Sequence, residues 1–449
     1  MNPVLVKRKF EEREISRVKL GAFDVDGVLR GKHVSVDKFW SSVDSGLSFC
    51  DVIFGWDIAD SLYDNTKFTG WHTGYPDTPA RIDLTSFRVV PWEPGSVLFL
   101  LDLVNPEGEP LPIAPRQVLR RVISKAASLG YTAFFSAEYE FFLFRETPQS
   151  LREKGFRNLT SLSPGMFGYS VLRASANSQF VVDALNLLAA FDVPLEGFHT
   201  ETGPGVYEAA IAVTEGMGGA DRAALFKTAI KEIAARHSLI PTFMAKWSPD
   251  LPGSGGHIHQ SLWDPSKANN LFHDAAASSG MSELMGHYIA GLVASMPELM
   301  VMMCPTINSY KRLVPGTWAP INATWGVDNR TTAVRAISAG AKSTRVELRV
   351  PGADMNPYLA MAASLAAGLD GIERKLEPPK PTVNAYAVKG SPLPRSLAEA
   401  TRLFRSSDLA RRSFGDDFVE HFGATREWEV RQFEKAITDW ELQRYLEST

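Results

Sequence analysis

Residues 344–349 read Thr-Arg-Val-Glu-Leu-Arg, and the way this stretch folds constrains the rest of the chain. Side chains alternate between faces along a β-strand, so Arg345, Glu347 and Arg349 point one way while Thr344, Val346 and Leu348 point the other. Two guanidinium groups around one carboxylate are costly to bury unless a charged ligand joins them. An edge strand with a solvated, salt-bridged face would account for the stretch if it stood alone. Four other segments are built the same way.

The run Ser136-Ala137-Glu138-Tyr139-Glu140-Phe141-Phe142-Leu143-Phe144 sets Glu138 and Glu140 on one strand face in apolar surroundings, where like charges repel unless a cation lies between them. Glu201 and Glu208 bracket a Gly203-Pro204-Gly205 turn. Gly253-Ser254-Gly255-Gly256-His257-Ile258-His259 puts two imidazoles on one strand face, and Asp328–Arg335 adds Arg330 and Arg335 after a turn signal. Singly, a glutamate pair reads as salt-bridged and a histidine pair as structural. Together the segments supply five carboxylates, one or two imidazoles and four arginines. Carboxylates with little nitrogen and no thiolate suit Mg²⁺ or Mn²⁺ rather than zinc. Arginines suit phosphate and carboxylate oxygens, which guanidinium binds bidentately. Metal ions and arginines around a polyphosphate are what phosphoryl transfer requires. The chain has neither a Gly-x-x-x-x-Gly-Lys-Ser/Thr loop nor a glycine loop ahead of a Val-Ala-Ile-Lys strand, so the two commonest nucleotide folds are not indicated.

From about residue 115 to about residue 374 these motifs occur in the order found in glutamine synthetases, and the chain resembles that family. By this resemblance Glu138 and Glu140 are the paired metal glutamates of the first active-site strand. Glu201 and Glu208 complete one metal site with Glu140, while His257 and Glu347 complete a second with Glu138. Asn308-Ser309-Tyr310-Lys311-Arg312-Leu313-Val314-Pro315-Gly316 is similar to the segment whose arginine binds glutamate, which gives that role to Arg312. Arg330 and Arg335 correspond to arginines that stabilise the transferring phosphoryl group and the nucleotide phosphates, and Arg349 to one near the γ-carboxylate. Lys342, Arg345 and Ser261 correspond to nucleotide contacts, Ser261 near the adenine. The resemblance implies an ATP-dependent ligase with two or three Mg²⁺ or Mn²⁺ ions per site. Such an enzyme phosphorylates the γ-carboxylate of glutamate and lets an amine displace the phosphate.

Departures from the family pattern bear on the nucleophile. Ammonia-using members carry a glutamate after Pro-Gly-x, on a flap over the site; here Pro315-Gly316-Thr317-Trp318-Ala319-Pro320 has Trp318 at that place. An indole offers an apolar face to a ring or alkyl group and attracts a cation through its π system. The family's Phe-Asp-Gly-Ser-Ser motif is replaced by Phe54-Gly55-Trp56-Asp57-Ile58-Ala59-Asp60, with Asp57 the candidate replacement and Asp60 and Asp64 as alternatives. Pro252 stands for the asparagine before Gly-Ser-Gly, removing a side-chain contact to glutamate and leaving the Gly253 backbone. With Trp56 and Trp318 expected at the amine site, the changes favour the branch that joins glutamate to small alkyl or aromatic amines in nitrogen scavenging. Three other readings compete: glutamine synthetase using ammonia, a γ-glutamylpolyamine synthetase, and a non-catalytic member of the family. The intact glutamates, His257 and arginines weigh against the last.

Ala22-Phe23-Asp24-Val25-Asp26-Gly27-Val28-Leu29 has the look of the nucleophile motif of haloacid-dehalogenase phosphatases. A second strand-like run, Arg30 to Val36, follows it directly, so Asp26-Gly27 reads as a hairpin turn. A length of 449 residues suggests two or three domains, and a net charge of −4 without a basic run argues against nucleic acid. Cys50 and Cys304 exclude a disulfide framework and suit a reducing cytoplasm, and the first residues lack a signal-peptide core. Tyr288–Ile307 is the most membrane-like stretch but holds Pro297 and Glu298, so it reads as a buried helix and its exit.

The punctuation at residues 105–110 and the amphipathic stripes Phe180/Ala184/Leu187/Leu188/Phe191 and Leu225/Ala229/Ile233/His237 give an α+β class. The resemblance refines this to a β-grasp-like N-terminal domain over 1–110 and a catalytic domain over 111–449. The latter is expected as an antiparallel β-barrel or funnel surrounded by helices, with a helical region from about residue 382 and Phe418 to Tyr445 helical. It further implies a dodecamer of two hexameric rings with active sites between subunits, to which Trp56 and Asp57 are donated across the interface.

Overall fold

Strands β1 (Arg17–Phe23) and β2 (Leu29–Ser35) form an antiparallel hairpin in the computed structural model, which describes residues 1–387 and 391–449. The Asp24 carboxylate accepts the backbone N–H of Asp26 at 3.0 Å and of Val28 at 2.8 Å, and Gly27 supplies the φ of 79° that the turn requires. Arg30 Nε donates to the other Asp24 oxygen at 2.8 Å. The phosphatase-like motif is therefore a turn whose first aspartate is spent on its own backbone.

With β3 (Leu47–Cys50), β4 (Asp77–Val89) and β5 (Ser96–Leu103) the hairpin makes a five-stranded sheet ordered β2-β1-β5-β4-β3, in which β1 runs parallel to β5. The helix Val36–Ser45, capped by Ser35, packs Phe39 against Phe10 and Phe99 with ring centroids 5.3 and 4.8 Å apart.

The second sheet is organised by the 13-residue strand β6 (Thr132–Phe144). Around it lie β7 (Leu195–Thr200), β8 (Val206–Ile211), β9 (Thr214–Glu215), β10 (Ile240–Thr242) and β11 (Gly256–Trp263). Beyond β12 (Asn322–Ala323) come β13 (Trp325–Val327), β14 (Val334–Ile337) and β15 (Arg345–Leu348). The path is β13-β14-β15-β11-β6-β8-β7, antiparallel except for the β13–β14 pair. Ala133, Phe135, Ala137, Tyr139 and Phe141 alternate onto the buried face of β6, where Phe141 stacks on Phe243 at 5.2 Å. Each buried aromatic contributes roughly 1.5–3 kcal/mol, and this fixes which face the intervening glutamates must take.

The helix Glu283–Leu299 contains Pro297 and is largely buried, and Glu298 accepts a hydrogen bond from the Ser407 hydroxyl. By length and composition Glu283–Met302 passes for a membrane span, but 67% of its apolar window lies inside the fold. Phe418–Tyr445 is not one helix: Asp416–Lys435 ends where Ala436 turns extended (φ −74°, ψ 131°), and Thr438 caps a separate helix, Asp439–Tyr445, in a reciprocal box with Glu441.

The region from residue 382 begins as a strap, and its first helix starts only at Leu397. Trp325 Nε1 donates to Pro379 O at 2.6 Å, and Thr382 N to Trp325 O at 2.8 Å. Asn329 Nδ2 donates to Thr382 O and Val383 O, both at 2.8 Å, and the Tyr386 hydroxyl to Ala319 O at 3.2 Å. Strand β16 (Ser391–Pro392) then pairs with β12. The two ends of the chain also meet: Arg426 on the Asp416–Lys435 helix pairs with Asp26 of the first hairpin at 2.7 Å, both buried.

Candidate active site

Strand register assembles the site. Glu208 lies opposite Glu140 across β8 and β6, Glu138 opposite His257 across β6 and β11, and His259 opposite Glu347 across β11 and β15; Arg335 of β14 faces Glu347 from the other side. Because side chains alternate, these residues share one face of the sheet. They line a cavity of about 1520 Å³. All six expected ligands (Glu138, Glu140, Glu201, Glu208, His257, Glu347) reach it, as do Gly253, Trp318, Arg330, Arg335, Arg345 and Arg349.

The closest ligand groupings differ from the expected division. Ligand atoms of Glu138, His259 and Glu347 lie within 4.8 Å of one another, and so do those of Glu138, Glu208 and His257. Glu138 thus belongs to both groups. His257 Nδ1 remains 3.8 Å from Glu138 Oε2 and 3.6 Å from Glu347 Oε1, the partners expected for it. His259, which was not assigned as a ligand from sequence, brings Nε2 to 3.1 Å from Glu138 Oε1. Its spacing of two from His257 on one strand was the signal that could have placed it there.

Two buried atoms at the cavity, His257 Nε2 and Glu201 Oε2, have no hydrogen-bond partner among the described residues, while His259 Nε2 faces Glu138 Oε1 at 3.1 Å. A set of carboxylate oxygens with an unpartnered imidazole nitrogen fits hard divalent cations.

Burial pushes the Glu138 carboxyl up, but the His259 and His257 imidazoles beside it outweigh that and hold it well below the usual carboxylate range. Burial likewise opposes ionisation of Glu347, yet His259, Arg349 and His257 bring it down to about 2. Glu201 is raised, by burial first and then by Glu140 and Glu208, as expected of a carboxylate that lacks its counter-ion.

Glu347 is enclosed by arginines: Arg335 Nη1 donates to Oε2 at 2.7 Å, and Arg349 Nη1 donates to Oε1. Arg335 also binds Asp328 Oδ1 at 3.0 and 2.5 Å, and Arg345 Nε donates to His259 Nδ1 at 3.0 Å. Among the described residues the Arg330 guanidinium has no hydrogen-bond or ion-pair partner, while its backbone carbonyl accepts Arg349 Nε at 3.0 Å. His199 and Tyr169 also line the cavity and were missed from sequence. His199 Nε2 lies 3.3 Å from Glu208 Oε1, which raises the imidazole to about 9, and Tyr169 stacks on it at 4.4 Å.

Other expected residues lie off the cavity wall. Arg312 is buried behind Gly253 and Gly255, donating to Val350 O at 3.0 Å and Arg349 O at 3.3 Å; a Cβ on Gly253 would sit 2.6 Å from its Cγ. Ser261 is buried further along β11 and accepts Trp263 Nε1 at 3.0 Å, and Lys342 is exposed on a turn. Trp56 and Asp57 do not line the cavity of their own chain. Arg30 lies 5.0 Å above the Trp56 ring, and Asp57 Oδ1 accepts Ala59 N and Ser61 N, both at 2.8 Å. Asp60 pairs with Arg30 at 2.6 Å, and Asp64 with Arg431.

Residues 112–445 match the glutamine synthetase catalytic domain. A type-1 glutamine synthetase 2 from Dictyostelium discoideum is 51% identical over 436 residues, covering 96% of this chain and 83% of that protein. A glutamate–isopropylamine ligase from a Pseudomonas species is 40% identical over 450 residues, covering 99% and 98%. The solved structure described as "Apo GmaS without ligand" superimposes with a TM-score of 0.85 at 27% identity, over 98% of each chain. Glutamine synthetases use ATP and divalent metals, and the carboxylate–imidazole face, the arginines and these likenesses agree: the chain belongs to the glutamine synthetase family and is an ATP-dependent glutamate–amine ligase.

Proposed function

We propose that the protein condenses L-glutamate with a primary organic amine, small alkyl or aromatic, to give a γ-glutamylamide, ADP and phosphate. The observation that carries this reading is Trp318 on the cavity wall, where ammonia-using relatives carry a carboxylate. A carboxylate favours a small cation and takes a proton from it; an indole takes no proton, and offers its π face and apolar surface to an alkylammonium and its carbon skeleton. The likeness to a glutamate–isopropylamine ligase supports the same choice.

In the proposed reaction a γ-carboxylate oxygen of glutamate attacks the γ-phosphorus of ATP, and ADP leaves. The amine nitrogen then attacks the acyl carbon of the γ-glutamyl phosphate, phosphate leaves, and the nitrogen loses a proton. Two or three Mg²⁺ or Mn²⁺ ions held by Glu138, Glu140, Glu201, Glu208, His257 and Glu347 would neutralise phosphate charge. The unpartnered Arg330 meets the transferring phosphoryl group and Arg349 the acceptor carboxylate. Arg335, Arg345, Lys342 and Ser261 serve the nucleotide. Gly253 contributes its backbone to glutamate. Arg312 shapes that pocket from behind, through the strand end it braces.

Trp56 and Asp57 would act on a neighbouring copy's amine site in a dodecamer of two hexameric rings, in a cytoplasmic setting that suits the free Cys50 and Cys304. Ammonia is the competing nucleophile, favoured by the 51% identity to a protein named glutamine synthetase. Glutamate-dependent phosphate release from ATP with ammonium, methylamine, isopropylamine, ethanolamine, putrescine and aniline separates the readings. Release with an alkyl or aryl amine well above ammonium supports the proposal, and ammonium in the lead overturns it.

A further inference from the structure

Beside the main cavity lies a second one of about 600 Å³, within the roughly 300–1,000 Å³ of small-molecule pockets. Trp318 and Arg330 line both cavities, so the two adjoin at these side chains. The rest of the second wall comes from the β13 end at Val327, from the turn residues Asp328, Asn329 and Thr331, and from the strap residues Pro381, Thr382 and Val383.

Its polar groups are largely satisfied within the wall. Asn329 spends its amide nitrogen on Thr382 O and Val383 O and its amide oxygen on Thr331, whose hydroxyl and backbone N–H both donate to it. Asp328 is neutralised by Arg335. What faces the space is the Trp318 indole, Val327, Pro381 and Val383, with the Arg330 guanidinium at the junction. Trp318 is 66% exposed, Val327 51% and Val383 93%, so this wall carries apolar surface that the chain itself leaves uncovered.

We infer that this second cavity receives the organic substituent of the amine, with Trp318 as the partition between the reacting nitrogen and its carbon tail. The inference rests on the amine-ligase reading above and narrows the substrate to primary amines with an uncharged substituent. Arg330 at the junction repels a distal ammonium, and the only carboxylate in the wall among the described residues, Asp328, is already paired. A tail entering the cavity removes its methylenes from water, which raises kcat/KM by about fourfold per buried methylene.

The test uses the full-length protein with ATP, glutamate and a series of ammonium, methylamine, propylamine, hexylamine and putrescine. The expected result is a kcat/KM that climbs from methylamine to hexylamine, with putrescine far below hexylamine. V327D and, separately, V383D are expected to lower the hexylamine-to-methylamine ratio at least tenfold; the ratio cancels any general loss of activity, and both positions are exposed enough to accept the change. A ratio unchanged in both variants, or a wild-type enzyme that takes methylamine and refuses hexylamine, overturns the subsite while leaving the amine-ligase reading in place. Turnover with ammonium alone overturns both.

Discussion

Glu138 and His257 are direct partners across β6 and β11, with His257 Nδ1 3.8 Å from the carboxylate, and Glu138 is the one residue shared by both close ligand groups. Losing it therefore disturbs both groups, and with them both candidate cation positions, at once. Glu138→Gln is expected to lower metal-dependent turnover by roughly 100-fold or more, and to reduce the rise in melting temperature that ATP with Mg²⁺ confers. Thermal melts with and without ATP and metal check this; a variant stabilised as fully as the wild type would show that Glu138 is not a ligand.

Glu347 stands between Arg335 and Arg349 with its side chain fully buried. Glu347→Ala leaves the Arg349 guanidinium without its carboxylate and Arg335 with Asp328 alone, and is expected to destabilise the fold by about 3–5 kcal/mol as well as abolish turnover. Arg330→Ala removes a side chain with no hydrogen-bond or ion-pair partner among the described residues and is expected to abolish turnover with stability within about 0.5 kcal/mol of wild type. Urea denaturation of the two variants side by side distinguishes a structural charge from one held for ligand.

Trp318→Glu places at the cavity wall the carboxylate that the family resemblance implies for ammonia-using members. The expected outcome is a shift of kcat/KM toward ammonium of roughly tenfold or more relative to the best alkylamine, since rim charge and lost apolar contact act in the same direction. Unchanged selectivity would make Trp318 a packing residue.

His421 is buried with neither ring nitrogen hydrogen-bonded among the described residues, and burial, then the charge of Arg426, pushes its pKa down to about 4. The unfolded chain takes up a proton near the ordinary 6.5, whereas the folded protein refuses it until about 4. Stability is therefore full above pH 6.5 and falls as pH drops toward 4, by about 3 kcal/mol in all. Denaturation midpoints between pH 4 and 7 for wild type and His421→Phe check this: the variant should lose that part of the slope.

The face of the sheet that carries chemistry was legible because period two is a strong constraint. Once Tyr139 and Phe141 are assigned inward, Glu138 and Glu140 have no choice of face, and the same logic holds for His257 with His259 and for Arg345, Glu347 and Arg349. What period two cannot give is which strand lies next to which. The pairing of β11 with both β6 and β15 decides that His259, and not only His257, approaches Glu138. Arg312 was placed by motif alone, and its retreat behind the wall depends on clearances at Gly253 and Gly255 that no local pattern announces. The break at Ala436 had a signal, the Thr438-Asp439-Trp440-Glu441 capping-box pattern that starts a new helix, which the continuous helical reading passed over. Tyr169 and His199 lie outside the run of paired charges, so nothing in composition marked them.

The ion pair between Asp26 and Arg426 spans 400 residues of sequence. During synthesis the first hairpin emerges long before its counter-ion exists, and Asp26 stays hydrated until Arg426, 400 residues further on, has been added. The buried contact can close only after Arg426 has cleared the ribosome, and loop closure over so long a separation is slow. This one tie of the first hairpin thus waits for the Asp416–Lys435 helix, so a truncation ahead of Arg426 would leave Asp26 without its counter-ion as well.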